Sequence, residues 1–90
     1  MATIQKKILS EYFKKVLSGE KKTELRVADF EINQGDTLVL VEIDDITKQE
    51  TGRKLSVNVS YVMKTKECTY WSKDDIDKYG FQVIQFDREK

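Results

Sequence analysis

The stretch TLVLVEI, residues 37–43, sets apolar side chains at consecutive positions. A strand of that kind has no face to give to water, so it has to run through the middle of a sheet. The demand is severe for a chain of 90 residues. Such a chain is expected to make a single domain over 1–90 with one core, burying only about 60–65% of its unfolded surface. A Gly35–Asp36 turn leads into this strand, and the polar run DDITKQETGR (44–53) after it reads as a long hairpin loop. Beyond the loop, Leu55, Val57, Val59, Tyr61 and Met63 alternate with Lys54, Ser56, Asn58, Ser60 and Val62, which predicts a half-buried strand.

The remaining elements are shorter. Ser10 is a good N-cap, and Tyr12, Phe13, Val16 and Leu17 form one apolar stripe at helical spacing, closed by Gly19. Lys22 to Val27 alternates, with Lys22, Glu24 and Arg26 on one face and Thr23, Leu25 and Val27 on the other, as in a half-buried strand. Ser72 and Asp75 resemble a capping box for a second helix, KDDIDKY, that ends at Gly80. FQVIQF (81–86) reads as a last strand and TIQKKIL (3–9) as a first one. The sum is an α+β chain of five to six strands and two short helices. In a chain too small for two sheets, that favours a compact, mostly antiparallel β-barrel.

Composition narrows the chemistry. There is no histidine and only one cysteine, Cys68. This removes histidine-dependent triads and four-ligand zinc sites, and it fits a reducing compartment. No apolar run approaches the roughly 20 residues of a membrane helix, and the start MATIQKK lacks the apolar core of a signal peptide. The expectation is a cytoplasmic protein with no metal, no cofactor and no membrane partner. Net charge is zero, which predicts no strong non-specific nucleic-acid binding in bulk. The distribution is uneven, however: residues 1–26 hold seven Lys/Arg against three Asp/Glu, and 51–66 hold four against none. These two basic blocks either meet as a patch or serve only as dispersed surface charge.

The densest charge lies in SGEKKTELR, residues 18–26. Gly19, Lys21, Glu24 and Arg26 there form either a ligand site or a solvated turn in which Glu24 and Arg26 simply pair. Strand alternation places Lys22 on the face of Glu24 and Arg26. Lys21 joins them only if it lies in the turn before regular pleating begins.

The run Gly19-x-Lys21-x-x-Glu24-x-Arg26 resembles the GxKxxExR signature of the ASCH superfamily, a PUA-like β-barrel group, and more closely the small proteins of the DUF3850 type. The other matching pieces are Glu11-Tyr12-Phe13, Val16, Ser18-Gly19, Gly35-Asp36, Glu42, Asp44 and Thr51-Gly52-Arg53, in the same order across roughly residues 4–86. Members often carry a His before the first helix, a Trp-Pro at its start and an Asn after the arginine. Here those places read Ile4, Leu9-Ser10 and Ala28, so chemistry that depends on the missing groups is not implied.

The resemblance implies a PUA-like barrel with a cleft beside the first helix, lined by Lys21, Glu24 and Arg26. It also implies an RNA or nucleotide ligand. Arg26 would fork onto a phosphate or base edge, Lys21 would supply a point charge, and Gly19 would let the backbone approach. Trp71, beside Tyr70, is either a stacking platform for bases or a cap on the barrel core. A second reading is a small amidohydrolase acting on a modified nucleoside such as N4-acetylcytidine, with Lys21 and Glu24 as its catalytic candidates. In the relatives that do this chemistry a threonine stands where this chain has Glu24. Ribonuclease activity belongs to the same enzymatic class. A protein-interaction module is the third reading, with the acidic runs at 42–50 and 74–77 facing a basic partner.

Overall fold

The computed structural model describes residues 1–67 and 70–88, so Cys68 lies outside the described residues. Strand β1 (Thr3–Leu9) leads directly into helix α1 (Ser10–Leu17). The chain then crosses back to strand β2 (Thr37–Ile43) and returns as β3 (Glu50–Asn58). A 3-10 turn at Thr65–Glu67 precedes helix α2 (Lys73–Tyr79). The sheet order is β1-β2-β3, with β1 parallel and β3 antiparallel to β2.

TLVLVEI is the central strand, as its two apolar faces demand. Leu38 and Leu40 look toward α1 and pack with Ile8 and Phe13, while Val41 is buried on the other face. Ile4, Val16, Ile32, Leu55, Val57 and Val59 fill in around this core.

The closed, mostly antiparallel barrel of five to six strands is not what forms. The sheet is open, mixed and three-stranded. Two expected strands carry no ladder. In 22–27, Leu25 and Val27 are exposed, and Lys22 gives its backbone N–H to the Gln85 side chain rather than to a strand. In 81–86, Phe81, Val83, Ile84 and Phe86 all remain exposed. The physical reason lies at the outer edge of β1, where the Arg26 guanidinium hydrogen-bonds the Lys7 carbonyl and a side chain takes the place of a further strand. The alternation from Lys54 to Met63 holds through Val59, although β3 itself ends at Asn58, and Tyr61 and Met63 point to water. β3 also begins earlier than the sequence suggests, so the hairpin loop shrinks to 44–49.

That loop is built by its acids. Asp44 Oδ1 accepts the N–H groups of Ile46 and Thr47, both at 2.8 Å, which holds the Asp44 carboxyl below its usual range. Asp45 Oδ1 accepts the Glu11 N–H at 3.1 Å and serves the N-terminus of α1. Ser10 does not cap the helix as expected. The helix starts at Ser10 itself, and the cap position, Leu9, offers no side-chain acceptor. Asp45→Ala should therefore cost about 1 kcal/mol, the usual worth of an N-cap acceptor, and lower the thermal midpoint measurably. An unchanged melting curve would mean that Asp45 does not cap α1. The second helix starts as the sequence predicts, with Ser72 Oγ accepting the Asp75 N–H at 3.1 Å.

Candidate functional site

Helix α1 ends where its apolar stripe runs out. Ser18 N–H reaches the Lys14 carbonyl at 3.0 Å and Gly19 N–H the Val16 carbonyl at 3.1 Å, with Gly19 in the left-handed region at φ +82°. Only a residue without a Cβ takes that conformation cheaply. Lys21 N–H then returns to the Lys15 carbonyl at 3.0 Å, pinning the turn under the helix.

The turn brings three motif side chains together. Lys21 Nζ donates to Glu24 Oε1 at 2.8 Å and to the Thr23 carbonyl. Arg26 Nε donates to the other oxygen, Glu24 Oε2, at 2.7 Å. One carboxylate thus holds two cations, and the trio keeps a net positive charge with each side chain only partly exposed. The lysine on Glu24 is Lys21, as the motif requires and strand alternation does not. Lys22 turns away, and its Nζ lies 3.8 Å from the Asp87 carboxylate.

Trp71 does not join this trio, nor does it cap the core. It is 56% exposed and packs edge-on against Tyr70 and Phe81, with ring centroids 5.6 and 6.3 Å away. Two concavities lie away from the first helix. One, of about 290 Å³, is lined by Ile32, Asn33, Gln34, Tyr61, Val62 and Lys64. The other, of about 150 Å³, includes Lys7, Val41 and Lys54. There the two basic blocks of the sequence do meet, because Lys7 and Lys54 flank Val41 in register on neighbouring strands. Among the described residues no group of three or more Cys, Asp or Glu is placed to hold a metal ion. Among the described residues no helix is long and apolar enough to cross a membrane.

A second polar cluster joins residues that the sequence reading named only as matching pieces, Glu42 and Thr51-Gly52-Arg53, and had not gathered into a site. Glu42 lies on β2 in line with Leu38 and Leu40 and is 1% exposed. Between the pairs Val41↔Lys54 and Ile43↔Glu50, it faces three residues of β3 (Thr51, Gly52 and Arg53), so β3 bulges there. Gly52, at φ +96°, makes the bulge possible. The bulge turns both neighbours onto the carboxylate: Arg53 grips it with Nε at 2.8 Å and Nη2 at 2.7 Å, and the Thr51 hydroxyl donates to Oε1. Ser10 completes the shell, donating to Oε2 at 2.6 Å from the first turn of α1.

The forked Arg53 hydrogen bonds, with those from Ser10 and Thr51, hold the Glu42 carboxyl at about 2, against an ordinary value of 4.5. The same bonds raise Arg53 above its ordinary value. The Arg53 guanidinium also lies over the Phe13 ring, 5.1 Å from its centroid. Chemically this is a clasp that ties α1, β2 and β3 together, because four donors converge on the buried carboxylate. An acid in the interior of an otherwise apolar strand was the available signal, since a buried charge requires partners.

A parallel β-α-β crossover with one added antiparallel strand, a helix closed by glycine into an ion-paired Lys-Glu-Arg turn, and a buried glutamate on the central strand define the class. The chain belongs to the family described as a domain of unknown function, DUF3850, which matches residues 4–75. No curated protein and no solved structure matches it.

Proposed function

We propose that the protein binds single-stranded RNA or a nucleotide through the surface around Lys21 and Arg26. The observation that carries this reading is the shared carboxylate. Glu24 orders an ammonium and a guanidinium through its two oxygens, at 2.8 and 2.7 Å, and leaves their surplus charge unneutralised. Cations ordered before the ligand arrives lose less side-chain freedom on binding. Arg26 engages its partners through Nε and Nη2, so Nη1 carries the donors left for a phosphate or base edge. Lys14 and Lys15 in the last turn of α1 add positive charge close by. The likeness of GxKxxExR to the ASCH signature points to the same ligand class.

The same geometry disfavours hydrolysis. A general base must present a free lone pair. Lys21 Nζ is instead a donor to two oxygens, so the lysine of the motif is held as a cation in an ion pair rather than as a base. The acidic run at 42–50 has local tasks as well, since Asp44 builds its turn and Asp45 serves α1.

The test is an NMR shift titration of the wild type with short single-stranded RNAs and with N4-acetylcytidine, repeated on Lys21→Ala and Arg26→Ala. Shifts should centre on residues 19–26 and weaken in both variants. Each phosphate contact removed should take about 0.7 off the slope of log affinity against log salt. Absence of shifts at low salt would reject the reading. Conversion of the acetylated nucleoside would put the hydrolase in its place.

A further inference from the structure

We propose that the sheet face opposite α1 is a phosphate-backbone site, on which single-stranded RNA lies across one rung of the sheet at Lys7 and Lys54. The ligand class rests on the function proposed above, while the site is a separate one set by strand register. Lys7, Val41 and Lys54 are partners across β1, β2 and β3. Ile8 and Leu40, next to Lys7 and Val41 in their strands, belong to the core under α1. Side chains alternate along a strand, so those of the rung rise from the other face.

Arg26 extends the row. Its guanidinium is fastened to the Lys7 carbonyl, at the edge of β1 that no strand occupies. Arg26, Lys7 and Lys54 therefore follow one another across the sheet, and the first of them belongs to the trio around Glu24. Neighbouring strands stand about 4.8 Å apart, which sets the Lys7 and Lys54 backbones about 10 Å from each other. Flexible four-carbon stems let their ammonium groups take one phosphate each along a single strand.

Charge selects the occupant. Among the described residues Lys7 and Lys54 make no ion pair. They line the concavity of about 150 Å³ together with Gln5 and Val41, and Val41, 6% exposed, is the apolar floor between the two stems. Lys6 also borders it but holds its ammonium over the Phe30 ring, 3.8 Å from the centroid. The one acid there, Glu50, stands beyond the bulge of β3, opposite Ile43. Two like charges on one rung repel each other, and a bound phosphate chain removes that cost. Because the net charge is zero, attraction for a polyanion has to come from a local row of this kind.

An NMR titration with a single-stranded RNA hexamer tests the site, on wild type and on Lys7→Gln with Lys54→Gln. Glutamine keeps most of each stem over Val41, so the double variant should melt with the wild type. In the wild type the hexamer should shift the amides of Gln5, Lys7, Val41 and Lys54. The double variant should have a slope of log affinity against log salt smaller by about 1.4, two contacts at about 0.7 each. Its loss of affinity between about 50 and 200 mM salt is then about sevenfold smaller. Lys73→Gln with Lys78→Gln, the same change of charge on α2, should leave the slope as it is. Shifts confined to 19–26, or a wild-type slope in the Lys7 and Lys54 double variant, would overturn the sheet-face site and leave the trio standing. Shifts on the face that persist undiminished in Lys21→Ala and Arg26→Ala would uphold this site and remove the trio. Absence of any shift would remove both. An oligo-aspartate of equal charge that binds the face as tightly as the hexamer would overturn the assignment to nucleic acid.

Discussion

Phe13→Ala should lower the thermal unfolding midpoint by about 15 °C or more. Removing a buried phenylalanine costs about 3–5 kcal/mol, and each kcal/mol moves the midpoint of a domain this size by about 4–8 °C. The chain has little to spare. Its buried apolar core consists of Ile8, Phe13, Leu38, Leu40 and Val41, and Phe13 is the one supplied by α1. Without the ring the helix keeps only the partly buried Val16 against the sheet, and Arg53 loses the aromatic face beneath its guanidinium. Phe13→Leu refills most of the volume and should cost much less. Circular dichroism melts of the two variants decide the matter. A Phe13→Ala midpoint within a few degrees of wild type would mean that α1 is not held by this residue.

The parts of the fold that were legible in the sequence are those whose burial is self-evident. TLVLVEI had to be central because both of its faces are apolar, and it is. The stripe through Phe13 and Val16 gave the helix, and Gly19 and Ser72 marked the end of one helix and the start of the other. The failures share a cause. KTELRV alternates as strands do, and FQVIQF does so with one change of parity between Val83 and Ile84, but such a pattern states only which side chains share a face, not whether a neighbouring backbone is there to pair with. In the first, Lys21 and Arg26 converge on Glu24 and bend the segment round a carboxylate. In the second, the contact with the turn at 20–22 is made by the Gln85 amide rather than by a ladder.

The candidate site was legible for the same reason that its strand was not. Gly19, Lys21, Glu24 and Arg26 lie so close in sequence that one turn gathers the three charged side chains. Trp71 stood apart from them in sequence, and it stands with Tyr70 and Phe81 in the structure. The Glu42 clasp combines residues 10, 42, 51 and 53 through a bulge at Gly52. No local pattern announces a pairing that skips two residues.

That clasp sets the acid limit of the fold. Glu42 has its folded-state value depressed, first by Arg53 and then by Ser10 and Thr51, from 4.5 to about 2. A depressed carboxyl contributes its stability fully above the unfolded value and loses it as pH falls through the folded one. Asp36, lowered by the N–H groups of Ala2 and Asn33, and Asp44 act with the same sign. Urea midpoints of the wild type should therefore hold down to about pH 5 and then fall steadily toward pH 2. Arg53→Ala removes the largest cause of the Glu42 shift and leaves a buried carboxylate with only hydroxyl donors. At neutral pH it should lower the melting midpoint by about 10 °C or more, since an uncompensated buried charge is costly. Its deficit should shrink as acid protonates Glu42 and removes that charge. Glu42→Gln should also be destabilised at neutral pH, but with a shallower acid decline, the remaining slope belonging to Asp36 and Asp44. Because the bonds that depress Glu42 are those that bind α1 to the bulge of β3, the loss of the helix signal should track the same acid transition. Curves for wild type and Arg53→Ala that stay parallel from neutral pH to about 2 would show that the clasp does not govern acid stability.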